Sequence, residues 1–292
     1  MKQVATKARP KLPKKQGWKL AVKLVGLAFW AMVVVFVAQV VVGIVMAGIM
    51  TLATGSRETA VALLSEPVWT AVYLALAYSL ALVALIFLSP RLYNLLTRRK
   101  QKRAEKPVPA EKPVLAEKTV SARTPSREEL GLKGLLTWTD LGLAPVGFVA
   151  YLLLAVGLTT VFSLFPWFNA EEAQDVGFNV LSSNGDRLVA FLALVVIAPI
   201  AEEIIFRGWM YGKMRKSLSK KTADWLGMTI SIILTSLAFG IMHGQWNVGV
   251  NVFAMSVVLC GLREITGTTY SGIVVHMLKN GVAFYLLYVL GM

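Results

Sequence analysis

Apolar residues in this chain gather into blocks of membrane-spanning length, separated by shorter polar stretches. The blocks are Leu24–Ala53, Val68–Leu88, Leu141–Phe165, Leu188–Ala201 with its continuation, Trp225–Met242, Val248–Leu262 and Thr269–Leu290. About 20 apolar residues in an α-helix cross a ~30 Å hydrocarbon core, so the pattern predicts an all-α, polytopic membrane protein with about seven transmembrane helices. The sixth block is short. The first follows a basic stretch like the n-region of a signal peptide, but its apolar run far exceeds the roughly 7–15 residues of a cleavable one. A retained first span is expected.

Composition agrees with this pattern. Of 292 residues, 56% are hydrophobic and 16% charged, with a mean hydropathy of +0.64, which excludes an ordinary soluble domain. The net charge of +14 is unevenly spread. Met1–Lys23, Arg91–Lys133 and Arg207–Lys221 are basic, whereas Thr54–Pro67 and Pro166–Asp186 hold one basic residue, Arg57, among several acidic ones. The two sets alternate along the chain, so the positive-inside rule places the amino terminus and both basic loops in the cytoplasm and the carboxyl terminus outside. Anionic lipid headgroups are the partner these blocks suit. A nucleic-acid surface is excluded, because the blocks flank spans and lack the fold or aromatic spacing of a reader module. The single cysteine, Cys260, permits neither an internal disulfide nor a cysteine-based metal site.

Three hexads, beginning at Ala104, Ala110 and Ala116, share Ala-Glu-Lys and place prolines and mixed charges between the second and third spans. Such a segment cannot build a core and reads as an extended spacer. The expected organisation is a basic amino terminus with two transmembrane helices over 1–98, a disordered linker over 99–127, and a membrane domain over 128–292. The half-apolar stretch Glu128–Asp140 opens that domain and reads as an interfacial helix.

The odd polar residues lie in the last domain. In Ala198-Pro-Ile-Ala-Glu-Glu-Ile-Ile-Phe-Arg-Gly208, Glu203 and Arg207 are four apart, acid first, and share a helix face. Glu202 points about 100° away. Ionisable residues inside a membrane mark function by default, so Glu203 is expected to brace Arg207 while Glu202 is left for chemistry. Pro199 removes a helix hydrogen bond and can open a kink. Both histidines, His243 and His276, also fall in apolar spans, and His276 shares a face with Asn280. If the chain turns near Ser219–Lys221, Glu202 and His243 differ in depth by only ~7 Å at 1.5 Å per residue. A glutamate and a histidine can deprotonate a shared water for attack on an amide, while a second histidine and an asparagine donate to the oxyanion. Glu202, His243 and His276 are equally a ligand set that suits Zn²⁺. Both routes lead to hydrolysis. The chain has neither the His-Glu-x-x-His of a zincin nor the Gly-x-Ser-x-Gly of a serine hydrolase.

Taken in order on successive apolar segments, Glu202-Glu203-x-x-x-Arg207, Phe239-x-x-x-His243 and His276-x-x-x-Asn280 resemble the three motifs of the CPBP family, the CAAX proteases and bacteriocin-processing enzymes also called Abi. Thr266-Gly267 is similar to that family's lead-in to the third motif. The resemblance covers roughly Leu135–Leu290 and implies an intramembrane endopeptidase built of packed helices in a bacterial plasma membrane, preceded here by a two-helix unit outside the family pattern. It implies that Glu202 and His243 activate water, that His276 and Asn280 hold the oxyanion, and that Glu203, Arg207 and Phe239 support the site. The implied substrate is a membrane-proximal peptide or a lipidated protein, and participation of zinc stays open. Two competing classes are a non-catalytic scaffold or self-immunity protein, which the intact motifs oppose, and a proton-coupled transporter, which the lack of an inverted repeat opposes.

Overall fold

The computed structural model describes residues 14–104, 122–172, 178, 181–219 and 221–291. Those residues are helical apart from short connections: α1 (Lys14–Thr54), α2 (Arg57–Leu64), α3 (Pro67–Val83), α4 (Ser89–Ala104), α5 (Trp138–Phe162), α6 (Asn184–Phe191), α7 (Ala198–Glu203), α8 (Gly212–Leu218), α9 (Asp224–Ile241), α10 (Trp246–Thr266) and α11 (Tyr270–Tyr285). Wide π-helical turns at Ala84–Leu88, Leu192–Ile197 and Ile204–Tyr211 join α3 to α4, α6 to α7 and α7 to α8 without a break. Seven of the resulting helices are long and apolar enough to cross a membrane, in the order the apolar blocks predict. The longest in the carboxyl half, Asn184–Leu218, has 35 residues.

Proline accounts for two of the wide turns. Pro90 and Pro199 have no N–H to give a carbonyl one turn back, and the helix loosens just before each. Beside Pro90, the Ser89 hydroxyl donates to the Ala84 carbonyl and accepts from Trp30 Nε1.

Small residues set the closest helix approaches, as expected where apolar burial alone does not drive association. Gly240 on α9 and Gly249 on α10 lie face to face, and a Cβ on Gly240 would come within 2.8 Å of the Gly249 carbonyl oxygen. In the amino-terminal unit Ala31, Ala38, Ala77 and Ala81 are buried. One apolar core runs through both parts of the molecule, joining Leu24, Ala31 and Leu85 to Ile205, Phe206, Phe239 and Val275.

The two ends of the bundle differ in charge. At one, Glu129 accepts from Lys216 at 2.7 Å and Arg123 at 2.9 Å, and Arg215 bridges Glu264 and Asp224. At the other, Phe162, Phe165, Trp167, Phe168 and Trp246 form a chain of ring contacts, the composition of an interfacial aromatic belt.

Two expectations are corrected. The stretch Glu128–Asp140 is not an interfacial helix. A turn at 127–131 is followed by irregular chain, and helix resumes at Trp138 with the Thr137–Asp140 capping box. Gly131 and Gly134 sit at φ +75° and +69°, which ends any helix there. This loop packs on the long span, the Leu130 carbonyl oxygen lying 2.8 Å from where a Cβ on Gly208 would stand. Helix α4 also runs to Ala104, beyond the expected linker boundary at 98. Most of the hexad repeat lies outside the described residues, but Asn94 exchanges two 2.7 Å hydrogen bonds with the backbone of Ala122 and so ties the far end of the linker to α4.

Candidate active site

The turn between α8 and α9 sets the depth of the site. Phe206 and Phe239 meet edge to face at 4.9 Å between ring centroids. One helical turn further from that hairpin on each side come Glu202 and His243. The connection Met242–Gln245 turns back tightly with Gly244 at φ +71°, a conformation that favours glycine.

Glu203 lies at the centre of a closed cluster. Its Oε1 accepts from Arg207 Nη1 at 2.7 Å and from His276 Nδ1 at 3.0 Å. The side chains of Glu203, Arg207 and His276 are 0%, 1% and 3% exposed, whereas Glu202 keeps 15%. Buried charges are tolerable only when paired, and here Glu203 Oε1 pairs with both the guanidinium and the imidazole, while Glu203 Oε2 and Arg207 Nε and Nη2 have no hydrogen-bond partner among the described residues. Gly272 makes room for the acid, because a Cβ there would stand 3.0 Å from Glu203 Oε2. Phe239 organises the surroundings: the Arg207 guanidinium carbon lies 4.4 Å over its ring, and His243 and His276 stand against it at 4.9 and 5.9 Å between centroids.

Hydrogen bonding fixes the imidazoles. His243 Nδ1 is 2.8 Å from the Phe239 carbonyl oxygen, an atom that only accepts. The ring proton therefore sits on Nδ1, and Nε2 of the neutral ring carries a lone pair. His276 gives its Nδ1–H to Glu203, which turns Nε2 toward Glu202 Oε2, 3.6 Å away. Glu202 Oε1 accepts a short hydrogen bond from the Tyr78 hydroxyl on α3.

Asn280, one turn beyond His276, donates from Nδ2 to the Leu194 carbonyl at 2.8 Å. That carbonyl lies in the wide turn five residues before Pro199, so the amide supplies a donor the proline cannot. Lys279 is half-buried beside Asn280 and interacts electrostatically with both Glu202 and His243.

The structure thus gathers Arg207, His243 and His276 around the Phe239 ring, with Glu203 bonded to Arg207 and His276, Glu202 beside His276, and Asn280 on the same face of α11 as His276. Sequence spacing missed three features: Tyr78, the Lys279 charge and the bond from His276 to Glu203. A tyrosine inside an apolar span was the available signal for the first, since a buried phenol needs a partner. For zinc, the fit is poor. Among the described residues no group of three or more His, Cys, Asp and Glu side chains is placed to hold a metal ion.

No curated protein and no solved structure matches the chain. Residues 184–282 match the family model of the Rce1-like type II CAAX prenyl endopeptidases. That segment runs from the start of α6 to α11 and contains every residue of the cluster except Tyr78. The seven spanning helices suit an integral membrane protein, and residues 184–282, about a third of the chain, are similar to the Rce1-like CAAX prenyl endopeptidases, which is consistent with the CPBP family.

Proposed function

We propose that the protein is an intramembrane endopeptidase that hydrolyses a peptide bond close to the membrane face, in a prenylated or otherwise lipidated substrate, with water activated by Glu202 and His243. The observation that supports this reading is the contrast between the two adjacent carboxylates: Glu203 is sealed and bound through Oε1 to Arg207 and His276, while Glu202 keeps 15% exposure with the His276 imidazole 3.6 Å from its Oε2.

In the reaction, water held between Glu202 Oε2 and His243 Nε2 loses a proton to the carboxylate as its oxygen attacks the carbonyl carbon. The oxyanion accepts from the second N–H of the Asn280 amide and from His276 Nε2. The latter role needs a proton on each ring nitrogen of His276, and the flanking carboxylates of Glu202 and Glu203 compensate that charge. Glu202 then returns its proton to the leaving amine. Because no third ligand joins Glu202 and a histidine in one coordination sphere, no step passes through a metal ion. The basic end of the bundle faces the cytoplasm and anionic headgroups.

The test is cleavage of a quenched, farnesylated peptide ending in a CAAX sequence by the protein in vesicles containing phosphatidylglycerol. Wild type cleaves it, and Glu202→Gln and His243→Ala inserted at equal yield do not. Cleavage by Glu202→Gln at the wild-type rate removes the mechanism.

A further inference from the structure

The family match begins at residue 184, and the amino-terminal two-span unit lies wholly before it. That unit nonetheless reaches the reacting carboxylate. Helix α3 packs on α7 and on the wide turn before it. Ala77 and Ala81 on α3 are buried, and Tyr78 between them projects its hydroxyl onto Glu202 Oε1 across 124 positions of sequence. The hydroxyl can donate there, because an ionised carboxylate only accepts.

We propose that Tyr78 is a positioning residue for the hydrolysis: its hydroxyl holds Oε1 of Glu202, so that Oε2 is the oxygen turned toward His276 and the water. This inference rests on the function proposed above. A glutamate carries three side-chain torsions, and Glu202 differs from its neighbour in having no arginine to pin it. Glu203 is fixed by Arg207 and His276 from within the matched segment. Glu202 is fixed from outside it. The first two spans thereby become part of the catalytic apparatus, and the shared core around Ala81, Leu85, Ile205 and Phe206 holds the two parts in register.

A purely structural tyrosine would also satisfy a half-buried carboxylate, so the test separates the roles. Tyr78→Phe keeps the ring and removes only the donor. In vesicles, with the farnesylated CAAX peptide, it should lower kcat by about 10- to 100-fold, the value of a hydrogen bond to a charged group, and leave KM unchanged. Tyr73→Phe, one and a half turns away on the same helix, should change neither. An infrared difference spectrum, wild type minus Glu202→Gln, isolates the carboxylate stretch of Glu202 without any substrate. That band should shift in Tyr78→Phe and stay put in Tyr73→Phe.

Wild-type kcat in Tyr78→Phe, or an unshifted Glu202 band, overturns the proposal while leaving the protease reading intact. A drop in activity matched by an equal loss of folded, inserted protein also overturns it, since that is the structural outcome. If Glu202→Gln itself cleaves the peptide at the wild-type rate, the protease reading falls and takes the catalytic part with it. The infrared shift then reports only whether the contact exists.

Discussion

Glu202 and Glu203 are neighbours in the chain and occupy opposite kinds of surroundings. The region around Glu203 is closed: a guanidinium, an imidazole and a glycine that makes room for it surround it, and nothing from solvent reaches it. The region around Glu202 is more open, with a short bond from a phenol on one oxygen and only an imidazole nitrogen 3.6 Å from the other. The difference teaches how a helix can carry two acids in lipid with only one of them sealed away. Identity of the side chain does not decide the role; the 100° rotation between consecutive residues does.

The contrast breaks most visibly at the open acid. Glu202→Gln should lower kcat/KM by about 10⁴-fold, the upper end for loss of a general base, with thermal stability in detergent unchanged; equal activity would place the base elsewhere. Next comes the closed acid. Glu203→Ala strands Arg207 and frees His276, and removing one partner of a buried pair costs about 3–5 kcal/mol. Reduced yield and a lowered unfolding midpoint should therefore precede any kinetic effect. Asn280→Ala sharpens the contrast because it touches both regions. Loss of an oxyanion donor should cost about 10²- to 10³-fold in kcat, and the Leu194 carbonyl left without its donor about 1–3 kcal/mol of stability.

The smallest effect lies at the basic end, outside the membrane. Lys216 and the Ser126 backbone N–H hold the Glu129 carboxyl below the usual carboxylate range. A depressed folded value means that the stabilisation is present above the unfolded pKa near ~4.3 and is lost as pH falls through the folded one. Exposure of both partners keeps it below about 1 kcal/mol. Glu129→Gln should flatten the pH dependence of the unfolding midpoint on the acid side of that value and leave neutral-pH cleavage untouched.

The spans were legible in the sequence because hydrocarbon thickness imposes one length scale on all of them, and their order and number follow from the apolar blocks. The Glu203–Arg207 pair was legible too, since four residues on a helix fix a shared face. The chain near Glu128–Asp140 departs from its expected helix because apolar content there is outweighed by Gly131 and Gly134, the two residues that end it. Tyr78 could not be paired with Glu202 by any local rule: helices meet through tertiary packing, and spacing along one helix says nothing about which distant helix lies beside it. The wide turns fall in the same class. Pro199 announced a disturbance, but not that the Asn280 amide would fill the missing bond.

Those wide turns at Leu192–Ile197 and Ile204–Tyr211 bracket the two acids, and each takes up more chain per revolution than a regular helix does. The aim of the acids is therefore a matter of counting as well as chemistry. Deleting one apolar residue from the first turn would tighten it to regular pitch and swing the helix on its amino-terminal side relative to the helix on its carboxyl-terminal side. A protein with every motif residue intact would then present the wrong carboxylate to its water, and insertions or deletions in this span should be more damaging than most substitutions in it.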